Sequence, residues 1–74
     1  MGEMSVINRS GDLKVAWSAD DKAEVEEAKR QFDGYKKKGW AVFRLDNHGR
    51  EGDRMAEFDP KAEKILVVPP IVGG

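Results

Sequence analysis

Cysteine is absent from this chain. Neither a disulfide nor a thiolate zinc site can hold it together, so stability must come from packing alone. There is one histidine and one tyrosine, and aromatic residues make up 8% of the sequence. With so few imidazole and thiol groups, neither a catalytic dyad nor a histidine-rich metal centre is in sight. No apolar run approaches the roughly 18 residues that a membrane helix needs, and the amino-terminal stretch lacks the basic and long apolar regions of a secretory signal. Charge of one sign is missing too: 13 basic and 14 acidic side chains leave a net charge of −1. A dedicated nucleic-acid binder normally carries a clear basic excess. The cysteine-free composition fits a cytoplasmic protein.

What is present suits one small domain. A chain of 74 residues buries only about 60% of its unfolded surface. Its 39% hydrophobic content is enough for one sheet against one helix. The expected domain spans residues 4–70, with 71–74 as a flexible tail, and Met1-Gly2-Glu3 is left out of the expected fold.

Met4 to Ile7 reads as a first strand, and Asn8-Arg9-Ser10-Gly11-Asp12 as a turn in which Gly11 can take positive φ. Leu13, Val15 and Trp17 then alternate with Lys14, Ala16 and Ser18, the period of a half-buried strand. Ser18 or Asp21 can open a helix over about 19–38, and Asp21 with Glu24 has capping-box spacing. Val25, Ala28, Phe32 and Tyr35 form its apolar stripe. Lys22 with Glu26, Glu26 with Arg30 and Asp33 with Lys37 are spaced to pair on its outer face. Gly34 weakens the last turn by ~1 kcal/mol, and Gly39 suits the position just past the end.

Trp40 to Leu45 is dense in aromatic and β-branched residues and predicts a strand. Asp46 to Asp53 is a polar loop, Arg54 to Phe58 a short strand with Met55 and Phe58 near the core, and Asp59-Pro60 a turn. Lys61 to Lys64 connects to Ile65-Leu66-Val67-Val68, whose unbroken apolar run predicts a central strand. Pro69 and Pro70 end it, since neither can donate to a ladder. Trp17 and Trp40 are expected between helix and sheet. The element order predicts an α+β fold of the β-grasp type, with a mixed four- to five-stranded sheet on one helix.

The chain closes on Pro69-Pro70-Ile71-Val72-Gly73-Gly74, straight after that strand. A diglycine carries no Cβ atoms and can pass through a narrow channel as bare backbone. Together with the Phe58-Asp59-Pro60 turn, this ending resembles the ubiquitin-like β-grasp sulfur carriers, such as the small subunit of molybdopterin synthase and the thiamine-pathway carrier. Ubiquitin-like protein modifiers share both the fold and the tail. The resemblance implies that a partner enzyme adenylates the Gly74 carboxylate with ATP. Sulfur transfer would then leave a thiocarboxylate, passed on to a sulfur-acceptor enzyme, whereas attack by a lysine amine would tag a target protein. It also implies that Gly73 allows close approach of the channel walls. The Pro69-Pro70 pair would stiffen the exit, and Ile71 and Val72 would give the partner an apolar grip. At ~3.1 Å per residue the four residues after Pro70 reach about 12 Å. No catalytic residue and no bound cofactor are expected of the carrier itself.

Three other readings attach to particular residues. His48 with Asp46 and Asp53 could ligate a metal, although a lone histidine in a polar loop is more often just solvated. Lys36, Lys37 and Lys38 with Trp40, Phe43 and Arg44 mix basic and aromatic groups as single-strand binders do. The stronger reading there is a lysine-rich helix end followed by a core strand. The main alternative is a small non-catalytic β-grasp adaptor that acts by non-covalent protein binding.

Overall fold

The computed structural model describes residues 1–8, 10–46, 48 and 51–70. Five strands and one helix follow one another as β1 (Gly2–Val6), β2 (Leu13–Trp17), α1 (Lys22–Lys37), β3 (Ala41–Leu45), β4 (Glu51–Arg54) and β5 (Lys64–Val68). The sheet order is β2-β1-β5-β3-β4. β1 and β5 run parallel, and the other neighbours are antiparallel. The result is a small α+β domain with one helix packed on a mixed five-stranded sheet.

Strand alternation decides what the helix covers. Met4 and Val6 from β1, Trp17 from β2, Val42 from β3 and Ile65 and Val67 from β5 are buried, together with Ala28 and Phe32 of the helix. The expected stripe is therefore the packed one, with Val25 and Tyr35 half-buried against the same cluster. β5 lies centrally, as its apolar run predicts, between β1 and β3.

The helix is closed at both ends by local chemistry. Asp21 is the N-cap, and its Oδ1 accepts the N–H groups of Ala23 and Glu24 at 3.0 and 3.2 Å. Glu24 reaches back past the cap to the N–H of Ser18 at 2.8 Å. At the other end Gly39 takes φ +87°. Its N–H donates to the Lys36 carbonyl and that of Trp40 to the Tyr35 carbonyl, both at 3.0 Å. This is the Schellman pairing, and the apolar contact that accompanies it is Tyr35 against Trp40, with ring centroids 4.9 Å apart. Trp40 thus clasps the helix end, while Trp17 is the tryptophan buried in the core. On the outer face the ion pairs are Lys29 with Asp33 and Arg30 with Glu27, in place of the expected Lys22–Glu26, Glu26–Arg30 and Asp33–Lys37. The Arg30 hydrogen bond holds the Glu27 carboxyl below its usual value. Exposed pairs of this kind choose among several partners at little cost, so spacing alone does not select one.

Two strands depart from expectation. β1 begins at Gly2, so two of the three residues left out of the expected fold belong to the sheet, and Ile7 falls outside the strand. Gly2 is buried opposite Trp17, and Glu3 donates its N–H to the Glu63 carbonyl at 3.0 Å. The fourth strand is Glu51–Arg54, which takes in the last three residues of the expected Asp46–Asp53 loop and shares only Arg54 with the expected Arg54–Phe58 strand. Gly52 makes this possible: a Cβ there would lie 2.5 Å from the Arg44 carbonyl oxygen. The register between β3 and β4 also shifts between Phe43 and Leu45. After β4 the chain leaves the sheet. Met55 is buried, and Phe58 turns inward against Trp17 and Phe32 at centroid distances of 5.0 and 5.6 Å. Both side chains therefore reach the core as expected, but from irregular backbone.

Candidate functional site

Of the residues singled out by sequence, Pro69 and Pro70 lie where β5 leaves the sheet. Val68, its last residue, is opposite Ala41, and Ile7 donates its N–H to the Val67 carbonyl at 2.9 Å. Pro69 and Pro70 follow directly and are exposed. The exit is thus flanked by Ile7, itself 37% exposed, and by the start of β3. Ile71, Val72, Gly73 and Gly74 lie outside the described residues. The structure therefore places the proline pair and the strand that carries it, and the four residues expected to reach a partner are not part of the described site.

The strand beneath the prolines is firmly held. β5 has a hydrogen-bonded neighbour on each side, and Ile65 and Val67 are buried. The approach to it is stapled by three side chains. Trp17 Nε1 donates to the Pro60 carbonyl at 3.0 Å, Arg44 pairs with the Asp59 carboxylate, and Ala62 is buried. The N–H of Lys61 lowers the Asp59 pKa most, donating at 2.9 Å to Oδ1, and the Arg44 guanidinium adds to it. The aromatic-acidic-proline turn noted in the sequence is thus a fastening point for three elements. The Arg44–Asp59 and Trp17–Pro60 partnerships join positions far apart in the chain, and no local spacing announces them.

The face of the sheet turned away from the helix carries Ser5, Leu66, Val68, Ala41, Phe43 and Leu45, all half-buried. Lys14 and Glu3 sit on the same face and approach each other at 3.8 Å. Sequence reading missed this surface. The signal was present in the alternate residues of β3 and β5, where Ala41, Phe43, Leu45, Leu66 and Val68 back the buried Val42, Ile65 and Val67.

The other candidate groups are separated. Lys36 Nζ donates to the Met55 carbonyl at 2.9 Å, Trp40 packs at a tilt against Tyr35, Arg44 turns to Asp59, and Phe43 lies on the opposite face of β3 from Arg44. These groups do not form one basic-aromatic surface. The N–H of His48 donates to Asp46 Oδ1 at 2.9 Å. Among the described residues no three His, Cys, Asp or Glu side chains gather as a metal site would. Three surface hollows hold about 210, 290 and 310 Å³, at or below the lower bound of ordinary ligand pockets. Among the described residues no helix is long and apolar enough to cross a membrane.

The sequence matches no family model, no curated protein and no solved structure. What the residues themselves offer is a central strand that delivers an exposed proline pair at the rim of the sheet.

Proposed function

We propose that this chain is a β-grasp carrier of the ubiquitin-like type. In this reading a partner enzyme adenylates the Gly74 carboxylate with ATP, and the activated carbonyl is then attacked by a sulfide-level sulfur nucleophile or by a target lysine amine, with release of AMP. The observation that carries the reading is the position of β5. It is the middle strand of the order β2-β1-β5-β3-β4, runs parallel to β1, and passes directly into exposed Pro69 and Pro70. A segment anchored in this way can be pulled into a partner's channel without disturbing the body that bears it. The antiparallel β1–β2 pair, the single helix after it and the insertion of β5 beside β1 support the β-grasp arrangement.

The chemistry asks little of the carrier. A carboxylate is a poor acyl donor at neutral pH, and transfer of AMP from ATP, with release of pyrophosphate, makes it a good one. Ile71 and Val72 would supply apolar contact to the activating enzyme, and Gly73 the narrow passage. The carrier needs no acid, base or metal of its own.

The deciding experiment is intact-mass analysis of the protein recovered from its native host, paired with an adenylation assay on the chain lacking Gly73-Gly74. Replacement of one oxygen by sulfur supports a sulfur carrier, and a diglycine remnant on lysines of other proteins supports a modifier. A shortened chain that still accepts AMP ends the proposal. The second reading, a non-catalytic adaptor, draws on the apolar sheet face around Phe43 and Leu66. It predicts unmodified protein throughout and retention of partners by the shortened chain.

A further inference from the structure

The helix covers one face of the sheet, and the other face has an order of its own. The strand registers place Lys14, Ser5, Leu66, Phe43 and Arg54 in one row, each opposite the next. A second row runs Ala16, Glu3, Lys64 and Leu45, and Val68 lies opposite Ala41 in a third. The apolar centre therefore belongs to the neighbouring strands β5 and β3, and the charges stand around it. Among the described side chains of this face, Lys14, Lys64 and Arg54 outnumber one carboxylate, Glu3, which Lys14 approaches at 3.8 Å. Lys64 and Arg54 are exposed and join no ion pair among the described residues. The chain as a whole carries −1, so this surface is opposite in sign to the molecule.

Dimensions decide what fits. The apolar strip from Leu45 to Ala41 is ~13 Å long, between two and three helical turns of ~5.4 Å. Lys14 on β2 and Arg54 on β4 are four strand spacings apart, ~19 Å in all. A helix is ~10–12 Å across with its side chains. One laid along β3 and β5 has Arg54 on one flank, Lys14 on the other and Lys64 near one end.

Other occupants fit less well. β3 and β5 have ladder partners on both sides, so the face offers no backbone groups to an added strand, whereas a helix satisfies its own. A second copy has no apolar helix to offer, since the stripe of α1 is packed on its own sheet. Apposing two of these faces would also bring like charges together. Single-stranded nucleic acid stacks successive bases on aromatic rings, and among the described residues Phe43 is the one aromatic on this face, itself half-buried.

We propose that the open sheet face binds an amphipathic helix of another protein, apolar along one stripe and rich in Glu or Asp on both flanks. Leu66 and Phe43 form the floor for the stripe, and Arg54, Lys64 and Lys14 meet the carboxylates. The proposal stands whether or not Gly74 is activated, because it uses no residue beyond Val68. The contact is smaller than the ~1,200 Å² of a standard stable interface, so the dissociation constant is on the order of 0.1 mM.

The probe is a synthetic peptide of about 18 residues, long enough to be helical alone, with leucine along one stripe and glutamate on both flanks. It is titrated into the full chain to about 2 mM and followed by amide NMR. One control peptide carries lysine at every glutamate position, and the other control is a thymidine oligonucleotide of similar length. The expected result is saturable shifts centred on Ser5, Phe43 and Leu66 with the glutamate peptide, and binding at least about tenfold weaker for both controls. Lys64→Glu combined with Arg54→Glu, both at exposed positions, is expected to reverse the preference between the two peptides while amides on the helix side keep their positions. A glutamate peptide that shifts nothing or shifts amides elsewhere, two peptides that bind equally, an oligonucleotide that binds more tightly than either, or a doubly substituted chain that keeps the parent's preference overturns the proposal.

Discussion

The indole of Trp17 lies directly over Gly2, so close that a Cβ at position 2 would overlap Cε2 and Cζ2 of the ring. Gly2 is therefore the floor on which the largest buried side chain rests. Gly2→Ala is expected to destabilise the fold by about 1–3 kcal/mol, the usual cost of forcing extra atoms into a filled core. Urea unfolding followed by tryptophan fluorescence measures it. A change inside about 0.5 kcal/mol would mean that the ring moves aside freely.

Trp17 also fastens the turn before β5 through Nε1 and the Pro60 carbonyl. Trp17→Phe keeps an aromatic ring but leaves that carbonyl unpartnered and a small void beside Phe58. The expected loss is about 1–3 kcal/mol. Faster amide exchange at Lys61 and Ala62 should accompany it, and equal exchange in both proteins would detach the turn from the indole.

The Asp59 carboxyl is held below the usual carboxylate range by the Lys61 N–H and then by Arg44. A lowered folded value means that its contribution is complete above the unfolded carboxylate value of ~3.9 and is lost as the pH falls through the lower folded value. Asp59→Asn is expected to lower stability near neutral pH by up to about 1 kcal/mol, since the pair is partly solvated. The gap from the parent should close in acid. Stability curves for the two proteins that stay parallel across the acid range would contradict it.

Asp21 satisfies two otherwise orphaned N–H groups at the start of α1. Asp21→Ala is expected to cost about 0.5–2 kcal/mol, and Asp21→Asn only a fraction of that. Thermal unfolding followed by circular dichroism gives the comparison. Equal losses for the two substitutions would point to the negative charge at the helix terminus as the cause, and not to the hydrogen bonds.

The elements legible in the sequence are those whose cause is local. Gly39 followed by an aromatic residue, the three-four spacing of Val25, Ala28, Phe32 and Tyr35, and the apolar run ending at Pro69 each carry their own signal within a few residues. Gly2 does not. Glycine weakens a strand by propensity, and the reason it belongs to one is a ring 15 positions later in the chain, opposite it in the register. The strand at Glu51–Arg54 is equally hidden, because no alternation marks it and only the close approach to Arg44 defines it. At the candidate site the prolines and the strand below them were legible for the same local reason. The clamp of Trp17 and Arg44 on residues 59–60 was not.

The parallel placement of β5 has a consequence for how the molecule is made. The β1–β2 and β3–β4 hairpins share no ladder with each other, and each bonds only to the strand inserted between them. That strand is synthesised after both. Sheet closure therefore waits until residues up to Val68 are available to join the two hairpins. A chain ending near residue 63 would leave the helix over two hairpins that share no backbone hydrogen bonds, without Ile65 and Val67 to close the core between them.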